Sequence, residues 1–179
     1  PTGLRYCINA ISLKKMAPGE RKIDFGGGCF WCTEAVFQQL KGVVKVERGY
    51  SGGKTANPTY KEVCSGTSGH AEIVEITYRP EEISFHDLLR IHLSTHNPTT
   101  LNRQGADKGS QYRSVIFYRT DQEKQSAFTI IKELQQSYED KIVTQLEMFQ
   151  HFYKAEDNHQ NYYNRNLQAA YCQAVINPK

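Results

Sequence analysis

The feature that most restricts this chain is a run of three glycines, Gly26-Gly27-Gly28, set between an apolar stretch and a cysteine. Lys22-Ile23-Asp24-Phe25 reads as a short strand ahead of them. From Cys29 to Leu40 the apolar positions Phe30, Ala35, Phe37 and Leu40 suit an amphipathic helix. Glycine makes so sharp a strand-to-helix turn without steric penalty and leaves the following side chain approachable. Cys29 is thereby placed on the first turn of a helix, where unpaired backbone N–H groups and the positive end of the macrodipole favour its thiolate and suit it to nucleophilic work.

A chain of 179 residues is long enough for one substantial core, so a single domain with tails is expected. Hydrophobic residues make up 39% and charged residues 23%, which excludes a disordered polymer of low hydrophobicity. No apolar run approaches the ~20 residues that a membrane-spanning helix needs. The net charge of +3 comes from Lys and Arg scattered among 19 acids, with no dense basic stripe to track phosphates. Neither nucleic acid nor a membrane is an expected partner, and a monomer is the expected state. The first twenty residues lack the compact apolar stretch of a secretory signal, which points to the cytoplasm. An export signal upstream of Pro1 would lie outside this chain.

Along the chain, residues 1–21 read as a remnant of a preceding domain with a linker, residues 22–155 as the catalytic domain, and residues 156–179 as a tail. Strands are expected at Val43–Tyr50, His70–Tyr78, Gln111–Tyr118 and Lys141–Phe149. Ser84 is placed to cap a helix reaching about His96, with Phe85, Leu88, Leu89 and His92 on one side. A further helix spans Asp121–Tyr138, with Phe128, Ile131 and Leu134 directed inward. The order β-α-β-β-α-β-α-β predicts an α+β sandwich with a ferredoxin-like split β-α-β core, an extra helix and strand, and a long coil tail. Two loops, one between Tyr50 and His70 and one from Asn97 to Ser110, exceed the length that usually goes without a functional reason.

Five cysteines, Cys7, Cys29, Cys32, Cys64 and Cys172, form an odd set without the regular spacing of a disulfide scaffold, so thiol chemistry or metal binding is the better expectation. Cys29 and Cys32 make a Cys-x-x-Cys, a spacing that serves a redox pair and half a zinc site equally well. His92 and His96, four apart, would be the remaining zinc ligands, so a zinc-binding interaction domain and a general disulfide oxidoreductase both stay open. Phe30-Trp31 puts two large rings beside the thiol, suited to a small apolar group such as a methyl. Glu72 shares a strand face with Val74, Ile76 and Tyr78. A carboxyl there would be desolvated and kept protonated enough to serve as a general acid. Tyr60, Tyr112 and Asp107 lie in or beside the long loops, where they can aim at a ligand oxygen.

Several separated stretches together resemble the A-type peptide methionine sulfoxide reductases. They are Gly28-Cys29-Phe30-Trp31, Gly49 to Gly53, Asn57 to Gly66, Gly69-His70-Ala71-Glu72, Asn102 to Asp107 and Gln111-Tyr112-Arg113-Ser114. The resemblance implies that Cys29 is the nucleophile and that Phe30 and Trp31 hold the substrate methyl. It further implies that Glu72, Tyr60 and Tyr112 grip and protonate the sulfoxide oxygen, with Asp107 in support. The implied substrate is methionine S-sulfoxide, free or in proteins. The implied product state is a disulfide that thioredoxin or a similar dithiol reopens, with no metal or organic cofactor. Cys32 departs from the commonest family pattern, which looks like Gly there. Cys172, in the tail where the family often has a resolving cysteine, is the first choice for that role and Cys32 the second. Cys64 falls in a family motif without an implied redox role. Pro1 to Ala10 resembles instead the C-terminal end of a B-type reductase, with Cys7 at that family's nucleophile position, as expected of an A domain cut from a fused B-A enzyme.

Overall fold

The computed structural model describes residues 19–160. Cys7 and Cys172, and with them the expectations for the segment before the catalytic domain and for most of the tail, lie outside the described residues.

Strand β1 (Arg21–Gly26) passes through the glycine turn into helix α1 (Phe30–Phe37), and β2 (Val43–Ser51) comes next. Helix α2 (Tyr60–Cys64) precedes β3 (Ala71–Tyr78), which leads to α3 (Phe85–Ser94). Strands β4 (Arg103–Gln104) and β5 (Asp107–Lys108) form a small hairpin. Then come β6 (Val115–Tyr118), α4 (Asp121–Leu134), β7 (Gln145–Met148) and β8 (Tyr153–Lys154). The main sheet runs β7-β6-β1-β3-β2-β8. Its β6–β7 pair is parallel and its other neighbours are antiparallel, so the protein is α+β with a mixed sheet.

The core follows from the alternation along β3, where every residue is buried. Val74, Ile76 and Tyr78 join Ile23 and Phe25 of β1 in one cluster with Phe37 of α1, Leu88 and Leu89 of α3, and Ala127 and Ile130 of α4. Ala71 and Ile73 point to the other face, where Val115 and Phe117 join them beneath Phe149 and Phe152. Glu72 therefore belongs to the helix-covered face, on which an acid is out of place. The second face also buries charge. Asp24 and Glu75 are register partners on β1 and β3, and Arg119 and Lys22 pair with them.

Several boundaries differ from the sequence expectation. The loop after β2 contains α2, whose N-terminus is closed by a capping box between Thr59 and Glu62. The loop after α3 holds the β4–β5 hairpin. Ser110–Tyr112 is a 3-10 turn rather than strand, so β6 begins only at Val115, and β7 begins at Gln145 rather than Lys141. In α4 the buried positions are Ala127 and Ile130, and Phe128 is 55% exposed instead of inward. At 100° per residue Phe128 falls outside the stripe that Ala127, Ile130, Ile131 and Leu134 define. Beyond Phe152 the chain is not all coil: β8 adds to the edge of β2.

Candidate active site

The turn between β1 and α1 needs glycine for two different reasons. Gly28 has φ +85°, and its N–H donates to the Tyr112 carbonyl at 3.2 Å. A Cβ at Gly27 would lie 3.0 Å from both the His92 and His96 rings, so two imidazoles of α3 pack directly on that backbone. The result puts Cys29 at the N-cap of α1, with extended backbone (φ −61°, ψ 126°) and a partly exposed side chain. Its carbonyl accepts the Cys32 N–H at 3.0 Å and the Thr33 N–H at 3.4 Å, which starts the helix. Its sulfur does not cap those amides. Among the described residues, Cys29, Cys32 and Cys64 form no disulfide with one another.

Glu72 is brought to the same helix end from β3. Its Oε2 accepts the Phe30 N–H at 3.2 Å, and its Oε1 is buried without a hydrogen-bond partner among the described residues. Only 1% of the residue is exposed. Burial pushes its carboxyl up to about 8, with the negative charge of Asp107 adding to the rise, while the Phe30 N–H and the Arg48 guanidinium hold it down. The group is thus a protonated acid at neutral pH with one oxygen unused. Asp107 reaches this neighbourhood from β5 and Tyr112 from the 3-10 turn after it.

Three phenols surround the carboxyl. Tyr50 is its register partner on β2, and Tyr60 and Tyr112 feel its charge. Burial raises all three hydroxyls far above neutrality, with the nearby Glu72 contributing, so they remain O–H donors. Tyr50 donates to Glu156 at 2.9 Å, while the Tyr60 hydroxyl is hydrogen-bonded to the Cys64 thiol one helical turn on. Burial raises the Cys64 thiol.

The apolar part of the site is built on Phe30, which is 1% exposed. Its ring lies 6.0 Å from Tyr50, 6.4 Å from Tyr60 and 5.9 Å from His159, with the Arg48 guanidinium 5.7 Å above it. Trp31 stacks on His159 at 5.9 Å. Arg48 is itself buried and paired to Glu34 of α1 at 3.0 Å. The structure thus brings Cys29, Phe30, Trp31, Tyr60, Glu72, Asp107 and Tyr112 to one region, while Cys32 points into the protein at 3% exposure.

Sequence reasoning missed the segment 155–160. Glu156 accepts from the Tyr50 hydroxyl and the Tyr60 N–H, both at 2.9 Å. Gln160 clasps the backbone of Arg48 from both sides, accepting its N–H at 3.0 Å and donating to its carbonyl at 2.8 Å. His159 sits 4.3 Å from the Tyr60 ring. No periodicity marks these polar residues, and their partners are about a hundred positions upstream, so nothing local in the sequence announces them. One of the proposed zinc ligands is engaged otherwise. His96 bonds the His92 carbonyl at 2.6 Å and the Ser114 hydroxyl at 2.7 Å. Among the described residues no group of three or more His, Cys, Asp or Glu is arranged to hold a metal ion. No helix of the described residues is long and apolar enough to cross a membrane.

A family model described as peptide methionine sulfoxide reductase matches residues 21–179. Peptide methionine sulfoxide reductase MsrA 1 of Rhodopirellula baltica is 52% identical over 165 residues, covering 92% of this chain and 86% of the relative. Among solved structures, Mxr1 from Saccharomyces cerevisiae in reduced form superposes with a TM-score of 0.83 at 34% identity, covering 88% of this chain and 92% of that one. Mxr1 in complex with Trx2 matches at TM-score 0.61 and 24% identity over 84% of this chain and 91% of that one, a likeness of fold.

Proposed function

This chain belongs to the peptide methionine sulfoxide reductase family, and from that premise we propose that it reduces methionine S-sulfoxide to methionine with Cys29 as nucleophile and thioredoxin as electron donor. The observation that carries the reading is the meeting of Cys29 and the buried, protonated Glu72 at one helix N-terminus.

The Cys29 thiolate attacks the sulfoxide sulfur while Glu72 gives its proton to the oxygen. Tyr60 and Tyr112 hold that oxygen by their hydroxyls, and Asp107 supports the step by disfavouring the ionised form of Glu72. Phe30 and Trp31 receive the methyl group. Methionine leaves, and Cys29 remains as sulfenic acid. A second thiol then forms a disulfide with it, and thioredoxin reopens that bond by exchange, as the complex of the related Mxr1 with Trx2 suggests for this chain.

The sequence favours Cys172 for the first attack on the sulfenic acid. Two features support an order in which Cys32 acts first and Cys172 exchanges afterwards. Cys29 and Cys32 close a single turn, with the Cys32 N–H on the Cys29 carbonyl at 3.0 Å. Side chains three apart on a helix stand roughly 5–6 Å apart at their β-carbons, within reach of a disulfide after small movement. Cys32 is also buried, so a later exchange would be needed to bring the disulfide to the surface. For the core, the order β6-β1-β3-β2 with antiparallel neighbours supports the ferredoxin-like split β-α-β reading.

An assay of both sulfoxide epimers with thioredoxin or dithiothreitol tests the function. Turnover of the S-epimer alone is expected, and failure to reduce it would refute the assignment.

A further inference from the structure

Behind the nucleophile's helix lies a buried group that the reduction of the sulfoxide does not use. His92 of α3 is 1% exposed, and its ring is stacked on Phe25 at 4.4 Å and tilted against His96 at 4.5 Å. One ring nitrogen is engaged by the Gly26 backbone, and the other, Nε2, is buried with no hydrogen-bond partner among the described residues. Burial first, and the neighbouring His96 second, keep the imidazole well below its usual range and therefore neutral. A nitrogen hydrogen-bonded to a backbone carbonyl carries the ring proton, so Nε2 presents a lone pair.

That lone pair is not isolated. His92 and His96 border a small cavity of about 10 Å³ together with Gly27, Cys32, Thr33, Val36 and Thr95. Such a space matches a single water, and a water needs polar partners of the kind the imidazole and the thiol supply. Cys32 must lose its proton to attack a sulfenic acid, and at 3% exposure it has almost no bulk water to hand that proton to.

We propose that His92 is the proton acceptor for Cys32, directly or through one water in the shared cavity, when Cys32 resolves the Cys29 sulfenic acid. The inference rests on the reading in which Cys32 attacks first. The Cys32 sulfur bonds to the Cys29 sulfur as the S–O bond breaks. The Cys32 thiol is oxidised and the sulfenic sulfur reduced. The hydroxyl leaves as water with a proton from Glu72, which has been reprotonated from solvent. His92 takes the Cys32 proton as the S–S bond forms and, because burial favours its neutral form, passes it on to solvent before the next turnover; Glu72 draws one proton from solvent and His92 returns one, so no proton is created or lost. Among the described residues, the other titratable group bordering the imidazole besides Cys32 is His96, whose nitrogens are already bonded to the His92 carbonyl and Ser114, and Glu72 lies close enough to Cys32 for their charges to interact.

The test uses the full chain and three variants, Cys32→Ser, His92→Phe and His92→Gln, each given one equivalent of methionine S-sulfoxide without reductant. Methionine is measured by chromatography, the sulfenic acid by trapping with a 1,3-dione, and the disulfide by peptide mass spectrometry. Both His92 variants are expected to release methionine at close to the wild-type rate. They should form the Cys29–Cys32 disulfide on the order of 10²-fold more slowly, with sulfenic acid accumulating. The deficit should shrink as pH rises toward the range where a thiol ionises unaided, which a merely structural role would not produce. His92→Phe keeps the stacked ring and His92→Gln a polar group, so a folding defect in one leaves the other informative. Disulfide formation at the wild-type rate in both variants overturns the proposal, as does an equal slowing of methionine release. If Cys32→Ser resolves at the wild-type rate through Cys172, the Cys32-first reading fails and the proposal with it. If Cys32→Ser is slow while the His92 variants are normal, only the role of His92 fails.

Discussion

Cys29 and Glu72 meet at the same helix end: Cys29 is the N-cap of α1, and Glu72 accepts the N–H of the next residue, Phe30, at 3.2 Å. The acid and the nucleophile are thus held by one turn of backbone although 43 positions separate them in the chain, 72 less 29. Any movement of that turn moves both.

Replacing Cys29 by Ser should abolish reduction of the S-epimer, because a hydroxyl at its ordinary pKa is a far weaker nucleophile than a helix-terminal thiolate. The measurement is methionine released in a single turnover. Activity near the wild-type level would remove Cys29 from the mechanism.

Glu72→Gln should lower the single-turnover rate by roughly 10²- to 10⁴-fold, the span of a positioned general acid, with far-UV circular dichroism unchanged. In the wild type the acid form is the working one, so the rate should fall as pH rises through about 8. The amide cannot ionise, so the variant should lose that limb of the profile. A profile unchanged by the substitution would return Glu72 to a structural role.

Asp24 predicts a separate effect, on stability. Burial pushes its carboxyl from 3.8 up to about 7, against the pull of Arg119. Between those values the unfolded chain has lost a proton that the native state keeps, so stability from this group is full below about 4 and declines as pH climbs to about 7. Asp24→Asn removes the titration. Its melting temperature relative to wild type should therefore rise with pH across that window, measured by calorimetry in matched buffers, and a constant difference would show that Asp24 does not titrate there.

Gln160→Ala should loosen the clasp on Arg48. The side chain makes three hydrogen bonds, to the Arg48 N–H and carbonyl and to the Ala155 carbonyl. At about 1 kcal/mol net each, the loss is roughly 1–3 kcal/mol. Limited proteolysis should then cut the chain beyond β8 faster than in the wild type. Equal cleavage rates would mean the clasp does not secure that segment.

What the sequence determined alone were the features that local chemistry writes into neighbouring residues. Three glycines between a short strand and the helical spacing of Phe30, Ala35, Phe37 and Leu40 mark a turn into a helix start at Cys29, and alternation along Glu72, Val74, Ile76 and Tyr78 already put an acid on an apolar face. Both are properties of a few adjacent positions, so they survive without knowledge of the rest. The short elements were not legible in this way: α2 and the β4–β5 hairpin are too brief to show a period. Nor was Phe128, whose exposure depends on how α4 is rotated against its neighbours. Only the tertiary structure decided that Glu156, His159 and Gln160 close over Tyr60, Phe30 and Arg48, and that His92 and Cys32 share a cavity. Those contacts join segments far apart in the chain, and a pairing of distant residues follows from how whole elements pack, which no local pattern of side chains encodes.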